Sequence, residues 1–263
     1  FSKVYRNIMD KIKVGIAGCL GRMGQELVKA TTKDKRIKFV GGYDLKNSKT
    51  HSNDIFQGAN IIIDFSSPAA IKGNVSLALS YKTGLVVGTT GLNHKETILL
   101  KKASKKIPIL YSSNMSLGVN LLFELVRQTS LALKDIDYDI EISETHHKHK
   151  KDAPSGTAIS LGEIASEGRK IPFSKNKVLN RTNKRNKRKI GNIGFAVTRG
   201  GEIAGEHTVS FIGDNDRIDL LHKASNRSIF VKGAVEAAVF LFKQKPGLYS
   251  MKDVLNIKPK SKK

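Results

Sequence analysis

The greatest concentration of groups that can move a proton lies between residues 144 and 158. Three of the seven histidines fall within four residues there, and lysines are interspersed with them in the order His146, His147, Lys148, His149, Lys150 and Lys151. An imidazole can act as a general acid or base near neutral pH, and a neighbouring ammonium can hold an anion or donate a proton. The segment therefore predicts proton transfer on an acidic substrate.

An anion site is predicted directly after these histidines. Pro154, Ser155, Gly156 and Thr157 open a predicted helix. The unpaired N–H groups of a helix N-terminus, together with the two hydroxyl groups, suit a carboxylate. Ser155, Gly156 and Thr157 are therefore candidate substrate-binding residues.

A metal site and a solvated polar loop are the competing interpretations of the histidines. A metal would need a further ligand set, which is not evident, and the interspersed lysines would repel a cation. A polar loop does not explain the helix start that follows. No metal is expected.

A glycine-rich turn near the start of the chain is the second candidate site. Gly18, Gly21 and Gly24 form a G-x-x-G-x-x-G pattern between a predicted strand and a predicted helix. Glycines let a backbone turn tightly and approach a pyrophosphate at the helix N-terminus. The spacing departs from the commoner G-x-G-x-x-G, and a tight turn without a ligand is the alternative. The predicted cofactor-binding residues of this turn are Gly18, Cys19, Leu20, Gly21, Arg22 and Met23.

Asp44 follows the second predicted strand, 20 residues after Gly24. A carboxylate there can hydrogen-bond the ribose diol of a dinucleotide and repel a 2′-phosphate, which favours NADH. Arg22, Lys46 and Lys49 could instead hold a 2′-phosphate. NADH and NADPH are both open as cofactors.

Small and hydroxyl-bearing residues follow the fourth and fifth predicted strands. Turn chemistry explains either group by itself. At successive strand ends, however, they predict a crevice in which a flat nicotinamide lies close to the backbone. The residues concerned are Gly88, Thr89, Thr90, Ser112, Ser113, Asn114 and Met115.

Alternating strands and helices position these groups. Predicted strands cover residues 13–17, 38–43, 60–65, 85–88 and 108–111, and predicted helices cover 23–31, 68–81 and 94–105. This alternation predicts βαβ units and a Rossmann-like parallel sheet, hence an α/β fold.

The second half of the chain has a different pattern. A helix at 117–133 is followed by strand-like runs at 138–143, 193–199, 207–212 and 217–222, with a helix at 158–166 among them. This predicts an inserted α+β domain with a mixed or antiparallel sheet. The last helix, at 229–242, is expected to pack back on the first domain. The predicted domains are 1–117 with 228–263, which binds the dinucleotide, and 118–227, which binds the substrate.

The chain is strongly basic, with 46 Lys and Arg against 23 Asp and Glu and a net charge of +23. A nucleic-acid-binding module would explain this charge. The lysines are instead spread along the chain without an aromatic stripe, and the densest cluster, at 184–189, is predicted to be a loop. Solvated surface lysines are the favoured interpretation, and nucleic acid is not the expected partner.

The expected location is the cytoplasm. No apolar run approaches the roughly 20 residues of a membrane span. The first residues lack a signal-peptide core, and the single cysteine, Cys19, suits a reducing compartment. Residue 1 is not methionine, so Met9 is a candidate start.

The sequence resembles the dihydrodipicolinate reductase family from about residue 13 to residue 255. The most specific motif is E-x-H-H-x-x-K-x-D-A-P-S-G-T-A at 144–158. The other segments that carry the resemblance are residues 14–24, 63–66, 87–91, 113–120, 193–195, 199–208, 222–225 and 230–234.

The resemblance implies NADH- or NADPH-dependent reduction of 4-hydroxy-tetrahydrodipicolinate to tetrahydrodipicolinate, in diaminopimelate and lysine biosynthesis. It implies that His146 is the acid or base, that Lys150 donates a proton, and that His147 contacts the substrate. Gly156 and Thr157 match the family's carboxylate site. The family is typically a homotetramer assembled through the sheets of the second domain.

The chain departs from the family pattern in three places. The stretch from Asp44 to Asn60 is shorter than in many relatives, Leu45 stands where some carry Arg, and the basic loop at 180–189 replaces a segment usually richer in glycine. The alternative function is that of another two-domain NAD(P)-dependent enzyme, such as an aspartate or semialdehyde dehydrogenase. A semialdehyde dehydrogenase needs a nucleophilic cysteine in its second domain, whereas Cys19 lies in the glycine-rich turn.

Overall fold

The computed structural model describes residues 11–44, 51–182 and 187–257. Met9, Leu45, Lys46, Lys49 and the centre of the basic loop lie outside the described residues. The chain forms two compact units. Unit 1 comprises Phe1–Ser116 and Phe230–Lys263, and unit 2 comprises Leu117–Ile229.

The elements follow one another in three stretches. The first stretch contains β1 (Ile12–Ala17), α1 (Arg22–Lys33), β2 (Ile37–Tyr43), α2 (Ser52–Gly58), β3 (Ile61–Asp64), α3 (Pro68–Tyr81), β4 (Gly84–Val87), α4 (His94–Ala103) and β5 (Pro108–Tyr111). The second contains α5 (Leu117–Ala132), β6 (Asp139–His146), α6 (Gly156–Arg169), α7 (Phe173–Asn176), β7 (Lys177–Val178), β8 (Ile193–Arg199), β9 (Gly205–Ile212) and β10 (Arg217–Ala224). The third contains α8 (Ser228–Leu241), β11 (Gly247–Tyr249) and α9 (Met251–Val254).

Unit 1 is built on a six-stranded sheet in the order β11-β5-β4-β3-β1-β2. Every pair in it is parallel. Strands β3 and β4 are buried along their whole length, as expected for a parallel sheet with both faces covered. This confirms the predicted Rossmann-like fold class.

The register of this sheet brings the carboxyl ends of five strands into one row. Ala17 is paired with Tyr43 on one side and with Asp64 on the other. Asp64 is paired with Val87, which is paired with Tyr111. The residues that follow these strand ends therefore begin on one line, which is where ligands bind in open α/β sheets.

Unit 2 contains a five-stranded sheet in the order β10-β9-β6-β8-β7. Strands β6 and β8 are parallel, whereas β9 runs antiparallel to both β6 and β10. Residues of α5 and α6, such as Val126 and Leu161, share one buried core with Ile140, Ile142 and Phe211 of the sheet. The predicted mixed sheet is confirmed.

Several short elements were not predicted from the sequence. They are α2, α7, β7, β11 and α9, and none of them exceeds seven residues. Such lengths are too short to show the period of a helix or a strand. Among the described residues, no helix has the length and apolar character needed to cross a membrane.

Candidate active site

The glycine-rich turn of unit 1 is closely packed. A Cβ on Gly24 would lie 2.0 Å from the Gly18 carbonyl oxygen, and one on Gly18 would lie 2.6 Å from the Phe65 carbonyl oxygen. Gly18 also has a positive φ of 79°, a region that side chains disfavour. The turn thus requires these two glycines.

Helix α1 begins at Arg22, and its N-cap residue, Gly21, provides no side-chain hydrogen bond. The first N–H groups of a helix have no partner within the helix and attract anions. The start of α1 therefore has the donors that a phosphate group requires.

A cavity of about 710 Å³ lies beside this turn. Of the predicted cofactor residues, Gly18, Gly21 and Asp44 line it. Asp44 also accepts a hydrogen bond from the Leu20 N–H at 3.3 Å, which ties the end of β2 to the turn. The structure therefore brings the glycine turn and the acidic residue to one cavity.

The predicted residues after β4 and β5 are largely engaged with the protein itself. Thr89 is buried and donates to Asp64 at 3.0 Å, whereas Thr90 is exposed. The Ser112 hydroxyl donates to the Asn114 carbonyl oxygen at 2.7 Å. Met115 is 2% exposed. These residues do not line the cavity, but they begin on the row of strand ends that borders it.

Asp64 is a central residue of this edge that the sequence analysis did not select. It is fully buried and accepts hydrogen bonds from the hydroxyl groups of Ser66 and Thr89 and from the Asn74 amide. The Tyr43 hydroxyl extends the network by donating to Asn74 at 2.7 Å. Burial and the nearby Asp64 raise the pKa of Tyr43, so it remains a donor. The network fixes the strand ends around the cavity.

In unit 2, the predicted histidine lies at the end of β6. Strand alternation places Ile140, Ile142, Glu144 and His146 on the same, buried face. His146 is 8% exposed and Glu144 is 2% exposed. The face thus changes from apolar to ionisable where the strand ends.

The Glu144 carboxylate is held by four donors. Oε1 accepts from Arg199 Nη2 at 2.7 Å and from the Ser155 N–H at 2.9 Å. Oε2 accepts from Arg199 Nη1 at 2.9 Å and contacts His146 Nδ1. A bidentate guanidinium and a backbone N–H offset the desolvation of a buried carboxylate.

The protonation states of this pair follow from its surroundings. Burial opposes ionisation of Glu144, but the hydrogen bonds from Arg199, Ser155 and His146 lower its pKa overall. Burial lowers the pKa of His146. The positive charges of Lys150 and Arg199 also lower it, whereas Glu144 raises it, and the pKa falls overall. At neutral pH the pair is therefore a carboxylate beside a neutral imidazole.

A second buried histidine, His207, lies next to the first. The rings of His146 and His207 meet edge to face with their centroids 5.0 Å apart. Burial, and next the nearby His146, lower the pKa of His207 to about 4. Its Nε2 lies 3.1 Å from the Ser155 hydroxyl, which also accepts from the Ala158 N–H as the N-cap of α6. The Ser155 side chain is thus committed to internal contacts.

The remaining predicted residues surround this buried group. Lys150 Nζ forms an ion pair with Asp152 at 2.8 Å, and its side chain is 22% exposed. His147 is half-buried, and its N–H donates to the Ile203 carbonyl oxygen at 2.8 Å. Gly156 and Thr157 start α6, where Gly156 is exposed and Thr157 is half-buried. Unit 2 therefore assembles His146, Lys150 and a helix N-terminus from one segment.

The described part of the basic loop is tied to the far end of β6. Arg181 pairs with Glu141 at 2.5 Å, while Arg188 pairs with Glu141 and, at 2.7 Å, with Asp139. These arginines neutralise acidic residues on the face of β6 opposite His146. Their contacts are structural rather than part of the predicted site.

Sequence reasoning missed Glu144, Arg199 and His207 as members of this group. One signal was available for Glu144, because a residue two positions before His146 on a strand shares its face. Arg199 and His207 come from β8 and β9, and only the sheet pairing brings them to β6.

Comparisons with known proteins agree with this arrangement. Residues 12–115 match the family model described as dihydrodipicolinate reductase, N-terminus, and residues 118–255 match the one described as dihydrodipicolinate reductase, C-terminus. The 4-hydroxy-tetrahydrodipicolinate reductase of Zymomonas mobilis is 42% identical over 252 residues, covering 94% of this chain and 98% of that protein. The enzyme of the same name from Sulfurimonas denitrificans is 43% identical over 257 residues, covering 94% of this chain and 100% of that protein.

A solved structure shares the fold. The dipicolinate-bound dihydrodipicolinate reductase from Paenisporosarcina sp. TG-14 superposes with a TM-score of 0.75 at 22% identity, covering 94% of this chain and 100% of that one. The two family models together span most of the chain. The chain belongs to the dihydrodipicolinate reductase family.

Proposed function

We propose that this chain reduces 4-hydroxy-tetrahydrodipicolinate to tetrahydrodipicolinate with NADH or NADPH, in diaminopimelate and lysine biosynthesis. Unit 1 binds the dinucleotide and unit 2 binds the dicarboxylate. The observation that carries the proposal is the assembly, within one segment of unit 2, of His146, the Lys150 ammonium and the N-terminus of α6. Family membership supports the same reaction.

The dinucleotide site is proposed at the glycine turn and the adjoining cavity. The backbone from Gly18 to Met23, including Cys19, Leu20 and Arg22, would hold the pyrophosphate at the N-terminus of α1. Asp44 would accept hydrogen bonds from the ribose. The ends of β4 and β5, from Gly88 to Thr90 and from Ser112 to Met115, would flank the nicotinamide.

The dicarboxylate site is proposed at the end of β6 and the start of α6. Gly156 and Thr157 would donate to a carboxylate, His147 would contact the substrate, and the Lys150 ammonium would add positive charge. Ser155 would contribute through its place as N-cap rather than through its hydroxyl, which is already engaged.

Replacing the 4-hydroxyl group by hydrogen consumes one hydride and one proton and releases one water. A reduced nicotinamide supplies the hydride when it is bound. Lys150 would deliver that proton, as the family resemblance implies, and its ion pair with Asp152 holds its ammonium just before the start of α6. His146, neutral and with its Nε2 beside Gly205, would carry a proton from the ring carbon next to C4 to the departing hydroxyl group, so that water leaves and the histidine ends neutral; the hydride and the Lys150 proton then add to the double bond.

We also propose that the chain works as a homotetramer in the cytoplasm. Family membership supports assembly through the unit 2 sheet. Leu221 on β10, which is 52% exposed in the single chain, is a candidate contact. Sedimentation of the purified protein would give the oligomeric state.

A coupled assay tests the reaction. Pyruvate and aspartate semialdehyde are mixed with the preceding synthase, this protein is added, and the absorbance of NADH or NADPH is followed separately. Synthase-dependent oxidation of either cofactor would support the proposal and rank the two cofactors. Dinucleotide binding without any synthase-dependent oxidation would reject this substrate and leave another NAD(P)-dependent reaction.

A further inference from the structure

The buried face of β6 carries a carboxylate to which the proposed reaction gives no role. Ile140 and Ile142 precede Glu144 on that face and pack in the unit 2 core. Glu144 is 2% exposed, and an ionised group buried to this degree is stable only when hydrogen-bond donors replace the water it has lost. Glu144 therefore needs its partners, and those partners fix its orientation.

Three of the four hydrogen bonds to Glu144 come from groups that cannot change roles. The two Arg199 amino groups and the Ser155 N–H are donors only. These donors hold both carboxylate oxygens in place without any contribution from His146. The fourth partner, His146 Nδ1, therefore faces an acceptor and must carry the proton.

The other ring nitrogen lies beside a glycine. A Cβ on Gly205 would lie 2.9 Å from His146 Nε2, and Gly205 has a φ of 153°, where glycine is favoured. Any side chain at residue 205 would therefore press on Nε2, so glycine keeps this nitrogen uncovered by a neighbouring side chain there.

We infer that Glu144 is a positioning residue that keeps the His146 proton on Nδ1 and leaves Nε2 as the nitrogen able to accept a proton. The inference rests on the proposed function only where it assigns His146 a part in proton transfer. The state of the ring itself can be measured without any substrate.

The charged and titratable groups that act on His146 come from several elements. Glu144 lies on the same strand, Lys150 follows that strand, Arg199 ends β8, and His207 lies on β9. Glu144 is the only anion among these four described groups. Removing its charge leaves two cations beside the ring, so the pKa of His146 should fall further.

Nitrogen-15 NMR of histidine-labelled protein tests the state of the ring. The two-bond correlations of an imidazole distinguish a protonated Nδ1 from a protonated Nε2, and His146→Gln identifies the signal by its loss. The wild-type chain should show His146 neutral with the proton on Nδ1 at neutral pH. A proton on Nε2, or a cationic ring at that pH, would overturn the inference.

In the Glu144→Gln variant, we expect the His146 proton to lie on Nε2 instead of Nδ1. Arg199 Nη2 and the Ser155 N–H donate to the same oxygen, whereas the other oxygen accepts from Arg199 Nη1 alone among the fixed donors, so the new amide oxygen should take the doubly bonded position and the NH₂ group should face His146. Nδ1 then has to accept, and the proton should move to Nε2. Glu141→Gln is the matched control, because Glu141 lies on the same strand and pairs with arginines but points to the opposite face.

The kinetic arm uses the same two variants. Glu144→Gln should lower kcat by roughly 10- to 100-fold, the usual range for a residue that orients a functional histidine. The limb of the pH profile that reports His146 should move to lower pH, while the dissociation constant for NADH stays unchanged. Glu141→Gln should change neither. If both variants had equal effects on kcat and on the pH profile, Glu144 would have only a structural role.

The two proposals fail separately. A chain without reductase activity that still shows the Nδ1 proton, and its transfer in Glu144→Gln, would reject the proposed reaction and keep the positioning of His146. An active chain with the His146 proton on Nε2 would support the proposed reaction and reject the positioning of His146 by Glu144. Should Glu144→Gln not fold, the wild-type spectrum still decides the inference.

Discussion

A Cβ added to Gly205 would lie 2.9 Å from Nε2 of His146. The glycine begins β9 and the histidine ends β6, and the space between them depends on the absence of a side chain at residue 205. Gly201 lies nearby with a positive φ of 52° and has nothing within 4 Å of its Cβ position. Alanine at either glycine strains the backbone, but only alanine at residue 205 would press on the ring, so the two glycines offer a matched pair of substitutions.

Gly205→Ala should lower kcat by at least about tenfold, since a displacement of the ring of the order of 1 Å misaligns proton transfer. Gly201→Ala should have little effect on kcat, because it also places alanine at a positive φ but meets open space. Steady-state kinetics on both variants, with dinucleotide titration as a check on unit 1, measure the difference. Equal activity of the two variants would show that the close contact of Gly205 with Nε2 has no part in turnover.

Lys150→Ala should lower kcat by about 10²- to 10⁴-fold, the range for loss of a positioned acid. Its effect on NADH affinity should be small, because the lysine lies in unit 2 and the proposed cofactor site in unit 1. Lys148→Ala is the control, as Lys148 is an exposed cation two residues away. Turnover close to that of the wild type in Lys150→Ala would remove this residue from the mechanism.

Asp44→Asn should shift the cofactor preference towards NADPH. The carboxylate lines the unit 1 cavity, where it would accept from a ribose diol and repel a 2′-phosphate. Losing one carboxylate charge beside a 2′-phosphate in a solvated cavity is worth about 1 to 2 kcal/mol, or roughly a tenfold change in the ratio of kcat/KM for the two cofactors. The ratio is measured directly by running each cofactor under the same conditions. An unchanged ratio would place the adenosine ribose away from Asp44.

His207 should make the chain sensitive to acid. Its pKa falls from an ordinary 6.5 to about 4 on folding, so the unfolded chain binds a proton at a higher pH than the folded chain does. Stability from this residue is therefore complete above pH 6.5 and is lost as the pH falls towards about 4, by on the order of 3 kcal/mol.

Urea unfolding at a series of pH values measures that loss. His207→Gln should unfold at a lower urea concentration than the wild type at pH 7, and the difference between the two unfolding midpoints should decrease as the pH falls. His94→Gln, at the exposed start of α4, should follow the wild-type curve throughout. A constant gap between His207→Gln and the wild type would mean that His207 is not held neutral by burial.

Much of the fold could be predicted from residue patterns, because each predicted strand of unit 1 is a short apolar run followed by a glycine, a carboxylate or a hydroxyl group. The strand β11 could not, since three residues carry no periodicity. In the candidate site, His146 and Lys150 were found because they lie in one segment. Arg199 is 55 residues from Glu144, and only the parallel pairing of β6 with β8 makes them neighbours.

The pairing of β11 with β5 in the unit 1 sheet joins two strands that are synthesised far apart in time. β5 leaves the ribosome before any residue of unit 2, whereas its neighbour β11 is made after the whole of unit 2. Until then the backbone groups on one side of β5 have no strand to pair with. An unpaired edge is a template for contact with other chains. Nascent chains that stall within unit 2 should therefore aggregate more readily than completed ones.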